Sequence, residues 1–146
     1  MKYQDFLKYL TLKAKTFAYI GPSISIKIGE NHKISISKWL YPPVINYRFI
    51  IFPIKLYGEN IRHLNILILD QKTKIIERYE PFNQYLNFHQ INDLLEPLLY
   101  KLMEQGKIYF LHFKTTLNTE TILNDKNCGL YCIKYICEKY KETLTL

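Results

Sequence analysis

The chain has 146 residues, 48% of them hydrophobic and 15% aromatic, with a formal charge of +7, which is enough apolar material for one hydrophobic core and too much for a disordered chain. No apolar run approaches the ~18 residues that span a bilayer, and the opening MKYQDFLKYLTLKAK alternates charged and apolar residues instead of presenting a signal-peptide core, so the expectation is a single soluble, unsecreted domain over residues 1–146 with no membrane partner. The basic excess favours an anionic partner such as nucleic acid, yet the lysines are scattered with no run of five basic residues, and a generally solvated basic surface, compatible with weak nucleic-acid binding, is the preferred reading.

In chain order, Phe6, Leu7, Leu10 and Ala14 fall at helical spacing before the Gly21-Pro22 break, which predicts an opening helix. Residues 23–38 alternate, with Ile24, Ile26 and Ile28 on one side of Gly29-Glu30-Asn31-His32 and Ile34 and Ile36 on the other, the pattern of a hairpin. Two apolar runs follow Trp39 and Pro42-Pro43, from Tyr47 to Leu56 and from Leu64 to Leu69, with Gly58-Glu59-Asn60 as the turn between them. The second run is nearly unbroken and reads as a central strand. After the turn at Asp70-Gln71-Lys72-Thr73, Lys74 to Tyr79 returns as a third strand.

The segment from His89 to Gly106 places Ile91, Leu94, Leu95, Leu98, Leu99, Leu102 and Met103 on one helical face. Pro97 lies within it and lacks a backbone donor, so the helix is expected to kink there or to begin late, with Pro97 in its first turn. Lys107 to Phe113 is expected as a strand, and Leu130 to Tyr140 as a closing helix with Ile133, Ile136, Cys137 and Tyr140 inward. The resulting order is a helix, a strand-rich middle, a helix, a strand and a helix.

The three cysteines, Cys128, Cys132 and Cys137, lie within ten residues of one another, an odd number in a cluster too local to staple a fold, which points to an intracellular, reducing compartment. They form no CxxC pair and have no histidine close in sequence, so neither a metal nor a cofactor is expected. Cys128 precedes Gly129 and then a helical pattern, a position where the helix dipole and free amides stabilise a thiolate. The glycine allows a carbonyl to approach closely, and the Cys128 N–H can help to bind an oxyanion. A cysteine that merely caps or packs a helix fits the Cys-Gly pair as well. His63 stands at the entrance of the 64–69 strand, and Glu80 ends the next strand, held by Pro81. A hairpin of these strands puts both residues at one end, where the carboxylate can orient the imidazole; a surface histidine is the plainer alternative.

The stretches His63-Leu64-Asn65-Ile66-Leu67-Ile68-Leu69-Asp70, Ile76-Glu77-Arg78-Tyr79-Glu80-Pro81 and Asn127-Cys128-Gly129-Leu130-Tyr131-Cys132 together resemble the His, Asp/Glu, Cys series of the SUMO-protease and adenovirus-protease families. They are most similar to versions from large DNA viruses, in which a histidine-led strand precedes a Glu-Arg-aromatic-acid-Pro motif and a cysteine four residues before a second one. The resemblance implies an α+β, papain-like fold with the order His, Glu, Cys, built on a central, mostly antiparallel sheet flanked by helices. It also implies a cysteine protease or isopeptidase in which His63 deprotonates Cys128 and Glu80 orients His63. Its substrates would be a viral polyprotein or SUMO- or ubiquitin-like conjugates, commonly ending in Gly-Gly. Adenovirus-type proteases use DNA as a cofactor, which accords with a basic surface.

Three departures from that pattern stand out. The glutamine that usually completes the oxyanion hole is absent, because Ile122 stands six before Cys128; Lys114, Asn118 and Asn124 are the candidate donors in its place. The aromatic residue that often follows the histidine is Leu64, although Trp39 could offer an aromatic surface or be a core residue, and the acid is Glu80 where many relatives use aspartate. The missing glutamine motivates the rival reading, a catalytically degenerate relative that serves as a binding or virion scaffold protein. A basic nucleic-acid-binding module is the other.

Overall fold

A computed structural model describes residues 2–41, 45–59, 61–81, 91–118 and 128–140. The elements in order are α1 (Tyr3–Ala14), β1 (Ala18–Ile20), β2 (Ile24–Ile28), a single 3₁₀ turn (Glu30–His32), β3 (Ile34–Ile36), β4 (Phe49–Gly58), β5 (Ile61–Asp70), β6 (Ile75–Glu80), α2 (Asn92–Gln105), β7 (His112–Leu117) and α3 (Cys128–Lys139). Among the described residues the strands form one seven-stranded sheet in the order β3-β2-β4-β5-β6-β7, with β1 also on β4. The fold is α+β, as expected. The pairings β2–β3, β4–β5 and β5–β6 are antiparallel, whereas β1 and β2 join β4, and β7 joins β6, in parallel.

Alternation along β4 and β5 divides the core between the two faces of the sheet, because successive strand residues point to opposite sides. Phe49, Ile51, Ile66 and Ile68 pack with Phe6, Leu10 and Ala14 of α1 and with Cys132, Ile133 and Ile136 of α3. Ile50, Phe52, Ile54, Leu67 and Leu69 pack on the other side with Ile91 and with Leu95, Leu99 and Met103 of α2. Burying both faces explains why β5 reads as a near-continuous apolar run.

Pro53 lies inside β4, where a missing N–H would normally break a ladder. The Ile51 carbonyl accepts a hydrogen bond from Gly21 N at 2.8 Å, so Pro53, two residues on, faces the same neighbour. That neighbour has no partner to lose there, since β1 ends opposite Ile51 and β2 begins opposite Ile54. At the far end of β4, Gly58 is required by close approach, because a Cβ there would collide with the Ile28 backbone carbonyl.

For Pro97 the late start of the helix is ruled out, and two other sequence expectations are corrected. α2 begins at Asn92, so Pro97 is its sixth residue and outside the first turn, and the preceding residues 82–90 lie outside the described residues. Pro97 is exposed, which leaves the Asp93 carbonyl it cannot bond facing water. Leu94, expected inward, is 45% exposed. The strand expected over 107–113 lies instead at His112–Leu117. Lys107 has φ 58°, the left-handed helix exit, and Ile108 N bonds back to Met103 O at 3.1 Å, which closes α2 and bars an extended chain there. The strand starts once Leu111 N reaches Lys74 O at 2.7 Å, just before β6.

A buried carboxylate fixes α3 against the sheet. Glu77 of β6 accepts hydrogen bonds from Tyr135 Oη at 2.6 Å, from Thr116 Oγ1 of β7 and from Lys139 Nζ. The Tyr135 ring stacks on Tyr79, with centroids 3.9 Å apart and planes 6° apart. The helix that begins at Cys128 is thereby tied to the strand that ends at Glu80.

Candidate functional site

His63 and Asn65 lie on one face of β5, two residues apart. The β5–β6 register pairs Ile66 with Tyr79, which sets the next pair, Asn65 and Glu80, opposite each other. His63 Nε2 contacts both oxygens of Glu80, Oε2 at 2.8 Å, and Asn65 Nδ2 donates to Oε2 at 3.0 Å. The other ring nitrogen, Nδ1, lies 3.1 Å from Cys128 Sγ. Cys128, 65 positions away in sequence, is the first residue of α3. The exposures of His63, Glu80 and Cys128 are 2%, 0% and 1%.

Both ring nitrogens are thus engaged, and the contacts select a tautomer. A carboxylate can only accept, so Nε2 carries the hydrogen and Nδ1 is left to receive the thiol proton. Cys128 and Gly129 open a helix, which puts the positive end of its dipole beside the sulfur.

Two further polar residues flank this arrangement. Asn65, fully buried, is the polar residue inside the otherwise apolar run from Leu64 to Leu69 and has the same two-residue phase as His63, which is its signal in the sequence. Arg78, 1% exposed, brings Nη1 to 3.6 Å from Glu80 Oε2. Burial lowers the Arg78 pKa, opposed by the charges of Glu80 and Glu96. An arginine in the middle of a buried strand is the corresponding sequence signal.

The remaining candidates are placed as follows. Cys132 is fully buried, with its sulfur 3.8 Å from the Leu64 carbonyl; burial, with the charges of Cys128 and Glu80 adding to it, raises its thiol well above an ordinary cysteine. Cys137 is partly buried. Two of the candidate oxyanion donors, Asn118 and Lys114, fall within the described residues. Asn118 Nδ2 donates to the Pro81 carbonyl at 3.1 Å, and its backbone N–H to Glu80 O at 2.9 Å, so its amide secures the end of β6. Lys114 is exposed and shares the face of Thr116, which bonds Glu77, opposite in phase to Glu80. Asn124 and Ile122 lie outside the described residues. Trp39 is a core residue, with its ring on Phe52 at 5.5 Å and its Nε1 donating to Pro22 O at 3.1 Å. Leu64 is partly buried and packs against the core cluster to which α1 and α3 contribute.

No protein-family model matches the chain. It is 28% identical over 149 residues to the uncharacterized protein 082L of Invertebrate iridescent virus 3, covering 96% of this chain and 89% of that protein. It is also 28% identical over 160 residues to an ankyrin repeat protein of Acanthamoeba polyphaga mimivirus, covering 81% of this chain and 21% of that one. Among solved structures it is similar to ChlaDub1 from Chlamydia trachomatis, with TM-score 0.48 and 11% identity over 67% of this chain and 49% of that one. It is similar as well to the yeast C-terminal Ulp1 protease domain in complex with Smt3, the yeast ortholog of SUMO, with TM-score 0.41 and 22% identity over 65% and 42%. The chain therefore spans about half or less of the solved chains it matches.

Proposed function

We propose that the chain is a cysteine hydrolase of peptide or isopeptide bonds, with Cys128 as nucleophile, His63 as its base and Glu80 as the group that orients the base. The observation that carries the reading is the 3.1 Å approach of the Cys128 sulfur to His63 Nδ1 while Nε2 of the same ring rests on Glu80. His63 takes the thiol proton, and the thiolate attacks the substrate carbonyl, forming a C–S bond as an electron pair moves to oxygen. Collapse of that oxyanion breaks the C–N bond, and the amine leaves with the proton from His63. Water, deprotonated by the same nitrogen, then attacks the thioester; the acid departs and the proton returns to sulfur. The family resemblance of the three motifs supports a protein substrate with a Gly-Gly cleavage site, either a viral polyprotein or a ubiquitin-like conjugate.

A second reading, a relative that binds without cutting, is favoured by two observations: Cys128 is 1% exposed, and the Asn118 amide is engaged by Pro81. Losing one oxyanion donor costs about 3 kcal/mol of transition-state stabilisation, and a sealed sulfur meets no substrate. One experiment separates the two. The protein is incubated with Gly-Gly-ending electrophilic probes, SUMO-based, ubiquitin-based and short-peptide, and read by intact mass. The hydrolase gives one adduct, lost in Cys128→Ala and His63→Ala and retained in Cys132→Ala and Cys137→Ala. A folded protein that takes up none of the probes is the binding relative.

A further inference from the structure

We propose that Asn65 is a positioning residue of this site, fixing the Glu80 carboxylate toward His63; the inference rests on the triad reading above. The two side chains project from one face of β5 and hold one carboxylate between them, with Asn65 Nδ2 at 3.0 Å and His63 Nε2 at 2.8 Å from Oε2. Asn65 is fully buried, and its Oδ1 has no hydrogen-bond partner among the described residues. A buried amide that forfeits its acceptor is costly, and a leucine there would simply continue the apolar run of β5. What the asparagine supplies is the donor aimed at Glu80.

The chemistry fits that task. An amide donor strengthens a carboxylate's charged form without adding a positive charge to compete with the imidazolium that His63 becomes. Arg78 brings charge to the same oxygen, but at 3.6 Å it is an ion pair and gives no direction. The other groups around Glu80 are His63 from β5, which Cys128 of α3 contacts in turn, Cys132 from α3, and Glu96 of α2, which acts on Arg78.

The test is the rate of Cys128 alkylation by iodoacetamide against pH, followed by intact mass with Cys137 replaced by serine. In Asn65→Leu the imidazolium–thiolate pair loses support, so the acid limb moves up by about one pH unit and the rate on that limb falls about tenfold, the loss expected for one hydrogen bond to a charged group. In the isosteric Asn65→Asp, two carboxylates face each other and share a proton, and the limb moves further. Variants that are folded by circular dichroism, lower in Tm and unchanged in acid limb would overturn the proposal and reduce Asn65 to packing. If Asn65→Leu does not fold, Asn65→Asp decides alone. A wild-type Cys128 no faster than a free thiol refutes the triad reading itself, and this inference falls with it; a fast, His63-dependent wild type with unmoved variants refutes only the role of Asn65.

Discussion

Replacing Glu77 by glutamine keeps its shape and removes its charge, which tests how α3 is held over the sheet. The side chain is 4% exposed and accepts from Thr116, Tyr135 and Lys139. Lys139 is 33% exposed, so its ammonium returns to water and its pair is worth under about 1 kcal/mol. The Tyr135 and Thr116 hydroxyls weaken from charged to neutral acceptors, and the new amide hydrogens point at Lys139. The sum is about 2–3 kcal/mol, or roughly 6–9 °C in Tm for a domain of this size. The pH dependence gives the sharper check. Burial pushes the Glu77 carboxyl up, but hydrogen bonds from Lys139, Thr116 and Tyr135 outweigh it and hold the group below the ordinary carboxylate range. A folded pKa below the unfolded one contributes stability above the unfolded value, about 4.3, and loses it as pH falls through the folded value. The gap between wild type and Glu77→Gln in urea melts is therefore full at pH 7 and shrinks below about pH 4. An equal gap at pH 7 and pH 3 would refute the electrostatic account and leave only packing.

Three further outcomes follow from the fold and the cysteines. Gly58→Ala drives a methyl group into the Ile28 carbonyl, which is backbone and cannot swing aside; a loss of about 2 kcal/mol or more in denaturant melts is expected. Pro97→Ala restores a donor to the Asp93 carbonyl on the exposed face of α2 and raises Tm, by about 1 kcal/mol equivalent once the lost rigidity of the unfolded chain is subtracted; an unchanged or lower Tm would show that α2 is already shaped around the proline. Cys132, with its thiol raised by burial, resists alkylation in the native protein at pH 8 and reacts after denaturation, as read by peptide mapping. Equal native labelling of Cys132 and Cys137 contradicts that burial.

Much of the fold is legible locally. The alternation of Ile24, Ile26 and Ile28 and the returns at Gly58 and Asp70 set the β2–β3 and β4–β5–β6 pairings, because a period of two and a polar turn suffice to define a hairpin. The inward face of α2 at Leu95, Leu99 and Met103 follows from a period of 3.6. β7 departs from the expected 107–113 for an equally physical reason: the run from Ile108 to Phe113 has strand composition, but the backbone of Lys107 is committed to ending a helix. The phase of β7 turns Lys114 to the Glu77 side of the sheet, and Asn118, just past β7, bonds the end of β6; distance from the cysteine in sequence carries neither placement.

Local pattern accounts for the elements whose signal is periodic and for the placement of His63 and Glu80 at one end of one hairpin, since both properties are carried by neighbouring residues. It does not account for β1 and β2 both joining β4 in parallel, for Cys128 arriving at 3.1 Å from a histidine 65 positions earlier, or for Asn65 meeting Glu80. Those contacts depend on how α3 docks and how strands register across the sheet, and such long-range packing leaves no period in the chain to read.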